Sequence, residues 1–131
     1  MQAAEGLVGR HCIFELQGGN PNLLDDEAFI KKALTQAAAA AGATLLNVVS
    51  HKFSPQGVTA FALLAESHIA IHTYPEYQYA AIDAFTCGED TNPESACRSL
   101  KDAFEARGGS MELLTRHNAS INRGPILVDD H

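Results

Sequence analysis

The sequence has no tryptophan, only three cysteines, and nine lysines and arginines among 131 residues. Each scarcity excludes something. Nine basic against sixteen acidic residues leave a net charge of −7. No basic stripe is present to neutralise phosphates, so nucleic acid is not an expected partner. The cysteines, Cys12, Cys87 and Cys97, are an odd number at scattered spacing, which suits free thiols in a reducing cytoplasm rather than a disulfide framework. No run approaches the ~20 uncharged apolar residues of a membrane span, and residues 1–9 lack the basic flank and apolar run of a secretory signal. A cytoplasmic location away from membranes is the expectation. What is there is an ordinary globular composition, 46% apolar and 19% charged, long enough to bury a core as a single domain, 1–131.

Turn chemistry divides the chain. Residues 7–16 read as a strand, broken by Gly18-Gly19-Asn20-Pro21-Asn22. Asp25, Asp26 and Glu27 put negative charge at a helix N-terminus. Phe29, Ala33, Leu34, Ala37 and Ala41 then recur on one helical face up to Gly42. Residues 45–53 predict a second strand, 54–57 a turn, and 58–64 a nearly continuous apolar strand buried on both faces. Two more strands, 67–73 and 79–85, flank Tyr74-Pro75-Glu76-Tyr77. Asn92 caps a second helix, Pro93 starts it and Glu94 complements its dipole. Its apolar face is Ala96, Leu100, Ala103 and Phe104, and Gly108-Gly109 ends it. Residues 110–115 predict a last strand, and the polar tail from Asn118 is expected to be mobile. The order β-α-β-β-β-β-α-β predicts an α+β two-layer sandwich, a mostly antiparallel sheet with two helices on one face. The sheet's other face is then uncovered, and a homodimer is the expected cover.

The densest polar chemistry runs from Glu66 to Cys87. His68 and His72 are four apart, but Ile69, Ala70 and Ile71 between them predict a strand. On a strand their Cα atoms are roughly 13 Å apart at ~3.3 Å per residue, too far for one zinc with bonds of ~2.0–2.3 Å. A shared metal is rejected, and no metal is expected. Three readings stay open on the residues alone. His72 could activate Cys87 as a nucleophile. Ser67 could attack the carbonyl of its own preceding residue, turning the peptide into an ester that eliminates and hydrolyses to leave a pyruvoyl group; this needs strain, a proton acceptor and oxyanion donors. Or these are core and interface histidines beside a buried cysteine, the default without further information.

The run Ala65-Glu66-Ser67-His68-Ile69-Ala70-Ile71-His72-Thr73-Tyr74-Pro75-Glu76 resembles the processing segment of bacterial and archaeal S-adenosylmethionine decarboxylases. Tyr79-Ala80-Ala81-Ile82-Asp83-Ala84-Phe85-Thr86-Cys87-Gly88 resembles that family's second signature. Gly9-Arg10-His11, Gly42-Ala43-Thr44, Phe53, Pro55 and Gly57 also fit, so the similarity covers roughly residues 7–116.

The resemblance implies a precursor that cuts itself between Glu66 and Ser67 into chains 1–66 and 67–131, with Ser67 becoming the pyruvoyl cofactor. It implies processing roles for Glu66, Ser67, His72 and Thr59. His72 takes the α-hydrogen during elimination, and Thr59 supplies a hydroxyl where the family often has serine, stiffer at χ1. It implies catalytic roles for Ser67, His72 and Cys87, with Cys87 the proton donor. Phe53, Ile69, Tyr74 and Glu76 are the implied substrate contacts: Phe53 and Tyr74 flank adenine, and Glu76 holds the ribose hydroxyls. The implied reaction is Schiff-base formation between S-adenosylmethionine and the pyruvoyl ketone, loss of CO₂ and protonation, giving the aminopropyl donor for spermidine. A cationic sulfonium suits aromatic faces and an acidic protein. Two alternatives remain at this stage: a pyruvoyl decarboxylase of the same fold acting on arginine or ornithine, or a non-catalytic nucleoside-binding homologue, suggested by Thr59. Ser67 and His72 are five apart, so a regular strand points them to opposite faces. A bend, a sheet edge or a subunit interface would be needed to join them.

Overall fold

The computed structural model describes residues 6–118. The first strand, β1 (Leu7–Gln17), leads through a one-turn helix, α1 (Pro21–Leu24), into α2 (Glu27–Ala40). Four strands follow: β2 (Leu45–Lys52), β3 (Val58–Leu64), β4 (Ser67–Tyr74) and β5 (Tyr79–Thr86). A 3-10 turn, Pro75–Tyr77, separates the last two, and α3 (Pro93–Ala103) and β6 (Gly108–His117) complete the fold. The strands form one sheet in the order β2-β3-β4-β5-β1-β6, and every neighbouring pair is antiparallel. The α+β sandwich expected from the sequence is the architecture found. No helix among the described residues is long and apolar enough to cross a membrane. The mobility expected of the tail concerns residues 119–131, outside the described part.

The core lies between the helices and one face of the sheet. Cys12, Phe14 and Leu16 of β1, Val58, Ala60, Ala62 and Leu64 of β3, Ile69 and Ile71 of β4, and Ala80, Ile82 and Ala84 of β5 all point into it. Period-two alternation puts these residues on one face, against Ile30, Leu34 and Ala37 of α2 and Ala96, Cys97 and Leu100 of α3. Four of these sheet residues, Ala60, Ala62, Ala80 and Ala84, are alanines. Cys97 is fully buried packing, as its place on α3 suggested.

Three expectations are corrected. The break after β1 contains α1, because the Asn20 side chain accepts from the Asn22 N–H and Pro21 takes the first helical position. The acidic start of α2 is found as expected: Asp26 caps it by accepting from the Phe29 N–H and Glu27 lies in its first turn, while Asp25 reaches the 54–57 turn. The second helix ends at Phe104, with Glu105 in the left-handed region. Gly108-Gly109 instead opens β6, where a Cβ on Gly109 would lie 2.2 Å from the Glu15 carbonyl oxygen. Finally, β3 is buried on one face only: Phe61 is half-buried and Leu63 is 44% exposed on the other.

That other face is the open face of the sheet. It carries Val49, Phe61, Leu63, Ala70, Ala81, Phe85 and Ile13, interrupted by His11, His68, His72 and Asp83. Replacing Gly109 by alanine adds a clash to an unfavourable φ of +151°. The expected cost is roughly 1–3 kcal/mol, read as a lower urea midpoint at unchanged slope; an unchanged midpoint would refute this account of the β1–β6 contact.

Candidate active site

The most unusual backbone lies where β3 turns into β4. Leu64 and Ser67 pair directly, so only residues 65–66 form the loop. Two-residue hairpins favour glycine or asparagine at left-handed φ within the loop. Here the loop is Ala65-Glu66, and the left-handed angle falls on Ser67 at φ +150°. A residue with a side chain is strained there by about 1–3 kcal/mol.

The surroundings hold the strained peptide in place. The Thr44 N–H donates to Glu66 Oε1 at 2.9 Å and the Thr44 hydroxyl to Oε2 at 3.2 Å. Just upstream, the Ala65 N–H donates to the Thr44 carbonyl at 2.9 Å. On the other side, the Glu66 carbonyl oxygen accepts from the Cys87 N–H at 3.1 Å and from its Sγ–H at 3.1 Å. The Thr91 hydroxyl reaches the carbonyls of Cys87 and Gly88 at 3.0 and 3.2 Å, which fixes that loop. Two donors on one carbonyl oxygen is the arrangement that stabilises negative charge developing there during acyl transfer. Strain and oxyanion donors therefore meet at one peptide bond.

His72 is elsewhere. It lies on the open face opposite Thr59, with Thr59 Oγ1 3.0 Å from His72 Nδ1. Five residues at ~3.4 Å each put it about 17 Å along β4 from Ser67. No bend within the chain joins the two. Beside the Thr59–His72 pair is a cleft of about 280 Å³ lined by Phe53, Gly57, Tyr74 and Glu76. Phe53 and Tyr74 are 46% and 42% exposed, open to a ligand. The 54–57 turn beneath Phe53 is tied down by Asp25, which accepts from the Gly57 N–H at 2.8 Å and pairs with Lys52 at 3.0 Å. These bonds, the Gly57 one first, hold the Asp25 carboxyl below its ordinary pKa.

Ile69 requires a correction. Its side chain is wholly buried against the helical layer, because it has the opposite parity to His68 and His72. It belongs to the core, and its side chain cannot touch a ligand on the open face.

Near the Ser67 end, a polar network crosses three strands. Asp83 Oδ2 lies 2.8 Å from His68 Nε2 and 2.9 Å from His11 Nε2. Ser67 Oγ is 3.4 Å from His68 Nδ1, and Arg116 Nη1 is 3.0 Å from His11 Nδ1. Burial works to raise the Asp83 pKa, but the bonds from His11 and His68 outweigh it and leave the carboxyl below its ordinary value. The three groups could surround one ion, their ligating atoms lying within 4.8 Å of one another. Against that, both Nε2 atoms are already engaged by Asp83, and the guanidinium behind His11 is a permanent positive charge.

The sequence-derived site residues therefore form two groups at opposite ends of β4. Glu66, Ser67 and Cys87 are one; Phe53, Thr59, His72, Tyr74 and Glu76 are the other. Sequence reasoning gave no role at the site to Thr44, Asp25, Thr91, His11, Asp83 or Arg116. Thr44, His11 and Asp83 lie within the motifs quoted above, which was a signal; no spacing linked them, because they come from separate strands and loops.

A strained, doubly hydrogen-bonded serine peptide thus lies at one end of β4 and an aromatic cleft at the other, and the comparisons place this α+β chain among carboxy-lyases. The family model described as S-adenosylmethionine decarboxylase matches residues 10–117. A protein of Synechococcus sp. (strain WH7803) named S-adenosylmethionine decarboxylase proenzyme is 51% identical over 123 residues, 91% of this chain and 96% of the relative. One of the same name from Methanococcus maripaludis (strain C5) is 57% identical over 123 residues, 94% and 95% of the two chains. The crystal structure of the adenosylmethionine decarboxylase from Aquifex aeolicus superposes with a TM-score of 0.80 at 27% identity, covering 93% of this chain and all of that one. This chain belongs to the S-adenosylmethionine decarboxylase family.

The depressed Asp83 pKa makes a stability prediction. Ionised Asp83 stabilises the fold fully above its unfolded value, 3.8, and the contribution is lost as pH falls from there through the lower folded value. The difference in unfolding free energy between the wild type and Asp83→Asn should therefore shrink across that window. A difference that stays constant from pH 7 to 3 in urea titrations would contradict the network.

Proposed function

We propose that this chain is a self-processing, pyruvoyl-dependent S-adenosylmethionine decarboxylase acting in the cytoplasm, as its free thiols and its family suggest. The observation that carries the reading is the Glu66 carbonyl: it is bonded twice by Cys87, next to a serine at left-handed φ. Ser67 Oγ attacks that carbonyl carbon, and the peptide becomes an ester. Strain released at Ser67 favours the change, and the Cys87 donors hold the oxyanion. Thr44 keeps Glu66 in register while the bond rearranges. His72 then removes the Ser67 α-hydrogen, the ester oxygen leaves with residues 1–66, and hydrolysis of the remaining dehydroalanine imine yields the pyruvoyl end on residues 67–131. When formed, that group supplies a ketone to capture the substrate amine and a neighbouring carbonyl to accept the electron pair as CO₂ departs.

The separation of His72 from Ser67 implies a second subunit. A twofold homodimer formed through the open faces would lay the Ser67 end of one chain over the His72 end of the other, completing two equivalent sites. It would also cover Phe61, Leu63 and Val49. In each site the Phe53–Tyr74–Glu76 cleft would then hold the nucleoside near the other chain's pyruvoyl end. Phe53 and Tyr74 offer aromatic faces to adenine and the sulfonium, and Glu76 offers acceptors to the ribose hydroxyls. Cys87, beside the new ketone, is placed to return a proton to the α-carbon. Thr59 gives no support to a non-catalytic chain, since its hydroxyl makes the His72 bond that serine would make.

Denaturing electrophoresis should show two fragments, 1–66 and 67–131, and Ser67→Ala should leave one intact band. Cys87→Ala, which removes only the Sγ–H donor, should slow cleavage by about 10²-fold. Ser67→Ala and His72→Ala chains, each uncut alone, should complement when co-expressed: the His72→Ala chain is cut because its Ser67 meets the partner's His72. No cutting in the mixture, with both chains folded and associated, would rule out the shared site.

A further inference from the structure

Serinolysis needs a base for the Ser67 hydroxyl, and nothing above supplies one. The partner's His72 serves the later elimination at the α-carbon. The group beside Ser67 Oγ within the same chain is His68, whose Nδ1 is 3.4 Å away. Adjacent strand residues normally point to opposite faces, but the left-handed φ takes Ser67 off the regular pleat.

Hydrogen-bond logic fixes the protons. An arginine can only donate, so Arg116 makes His11 Nδ1 an acceptor, and the His11 proton must be on Nε2, directed at Asp83. An ionised carboxylate can only accept, so His68 also carries its proton on Nε2, donated to Asp83 at 2.8 Å. In the neutral ring, His68 Nδ1 then keeps its lone pair for Ser67 Oγ, 3.4 Å away. The ring is further held by stacking on Phe61, 5.3 Å between centroids at 19°.

We infer that His68 is the base of the first processing step, forming with Ser67 and Asp83 a nucleophile–base–carboxylate relay in which Asp83, which also accepts from His11, fixes the His68 tautomer. The inference rests on the self-cleavage proposed above and names the residue that starts it. As Ser67 Oγ bonds to the Glu66 carbonyl carbon, its proton passes to His68 Nδ1. The carbonyl π pair moves onto the oxygen held by Cys87. When the tetrahedral centre collapses, the carbon–nitrogen bond between residues 66 and 67 breaks, and the Ser67 nitrogen takes the proton back from His68. No atom enters or leaves, so the step is an isomerisation that needs no co-reactant. Asp83 stabilises the transient imidazolium, the general role of the carboxylate in such triads. The resemblance put His68 inside the processing segment without giving it a role; the spatial reading assigns one. The two histidines divide the work: His68 acts on oxygen within its own chain, His72 on carbon across the dimer.

The test uses full-length chain from cell-free synthesis, followed over time on denaturing gels with and without hydroxylamine, which cuts the ester but not the amide at the 66–67 junction. His68→Ala should slow cleavage by about 10²-fold or more, and added imidazole should partly restore it, whereas Ser67→Ala should not respond. His72→Ala should accumulate hydroxylamine-sensitive chain, and His68→Ala combined with His72→Ala should stay resistant. Asp83→Asn combined with His72→Ala should build ester about tenfold more slowly than His72→Ala alone. Folding is compared with uncut Ser67→Ala by circular dichroism, and His68→Gln carries the test if the alanine variant does not fold. Wild-type cleavage rates in the His68 variants, or a double variant as hydroxylamine-sensitive as His72→Ala, overturn the inference while self-cleavage stands. A wild-type chain that neither cuts nor yields to hydroxylamine overturns self-cleavage, and this inference with it.

Discussion

Two hydrogen bonds from Cys87 converge on the carbonyl oxygen of Glu66, and much of the fold serves to keep them there. They join the β3–β4 turn to the end of β5, so the turn cannot relax its left-handed residue by swinging away. Thr44 grips the Glu66 carboxylate from the loop after α2. Thr91 anchors the Cys87 loop just before α3. Both helices, packed through an alanine-rich interface onto the buried side of the sheet, thus act as the rigid backing of one strained peptide. Strain of this kind persists only where surrounding contacts over-determine it.

The sheet's two faces have different tasks. The helix-facing side is a close-packed core and contributes no functional side chain, which is why Ile69 has no place among the ligand contacts. The open side alternates apolar residues with His11, His68, His72 and Asp83. An apolar face with a charged network at its centre is a poor surface to leave in water but a suitable interface between identical chains. The proposed dimer accounts at once for the uncovered Phe61 and Leu63 and for the distance between Ser67 and His72. It turns the parity conflict along β4 into a requirement: residues on one strand that cannot meet within a chain can meet across a twofold axis.

Much of this was legible in the sequence, and what was not had identifiable causes. Strand positions followed from turn residues and apolar alternation, and α2 and α3 from Asp26, Asn92 and Pro93. The Gly108-Gly109 pair misled because glycine both ends helices and permits close strand approach, and only the neighbouring Glu15 backbone decides between them. The continuous apolar run of β3 was read as two-sided burial; in the single chain one side is bare, the side that the proposed dimer would cover. The residue types of the site were carried by the resemblance, from Ser67 and Cys87 to Phe53 and Glu76. Its spatial division was hidden, since motif order does not tell which residues lie at which end of β4. The Thr44 clamp and the His11–Asp83–His68 network were hidden too, being contacts between segments far apart in sequence.

The most direct measurement of the central claim is the intact mass of the purified wild-type chain. The account predicts two polypeptides, 1–66 with an ordinary carboxyl end, and 67–131 lighter than its encoded sequence by one ammonia, with a carbonyl that borohydride reduces. A single species at the full encoded mass, unchanged on prolonged incubation and inert to borohydride, would contradict it.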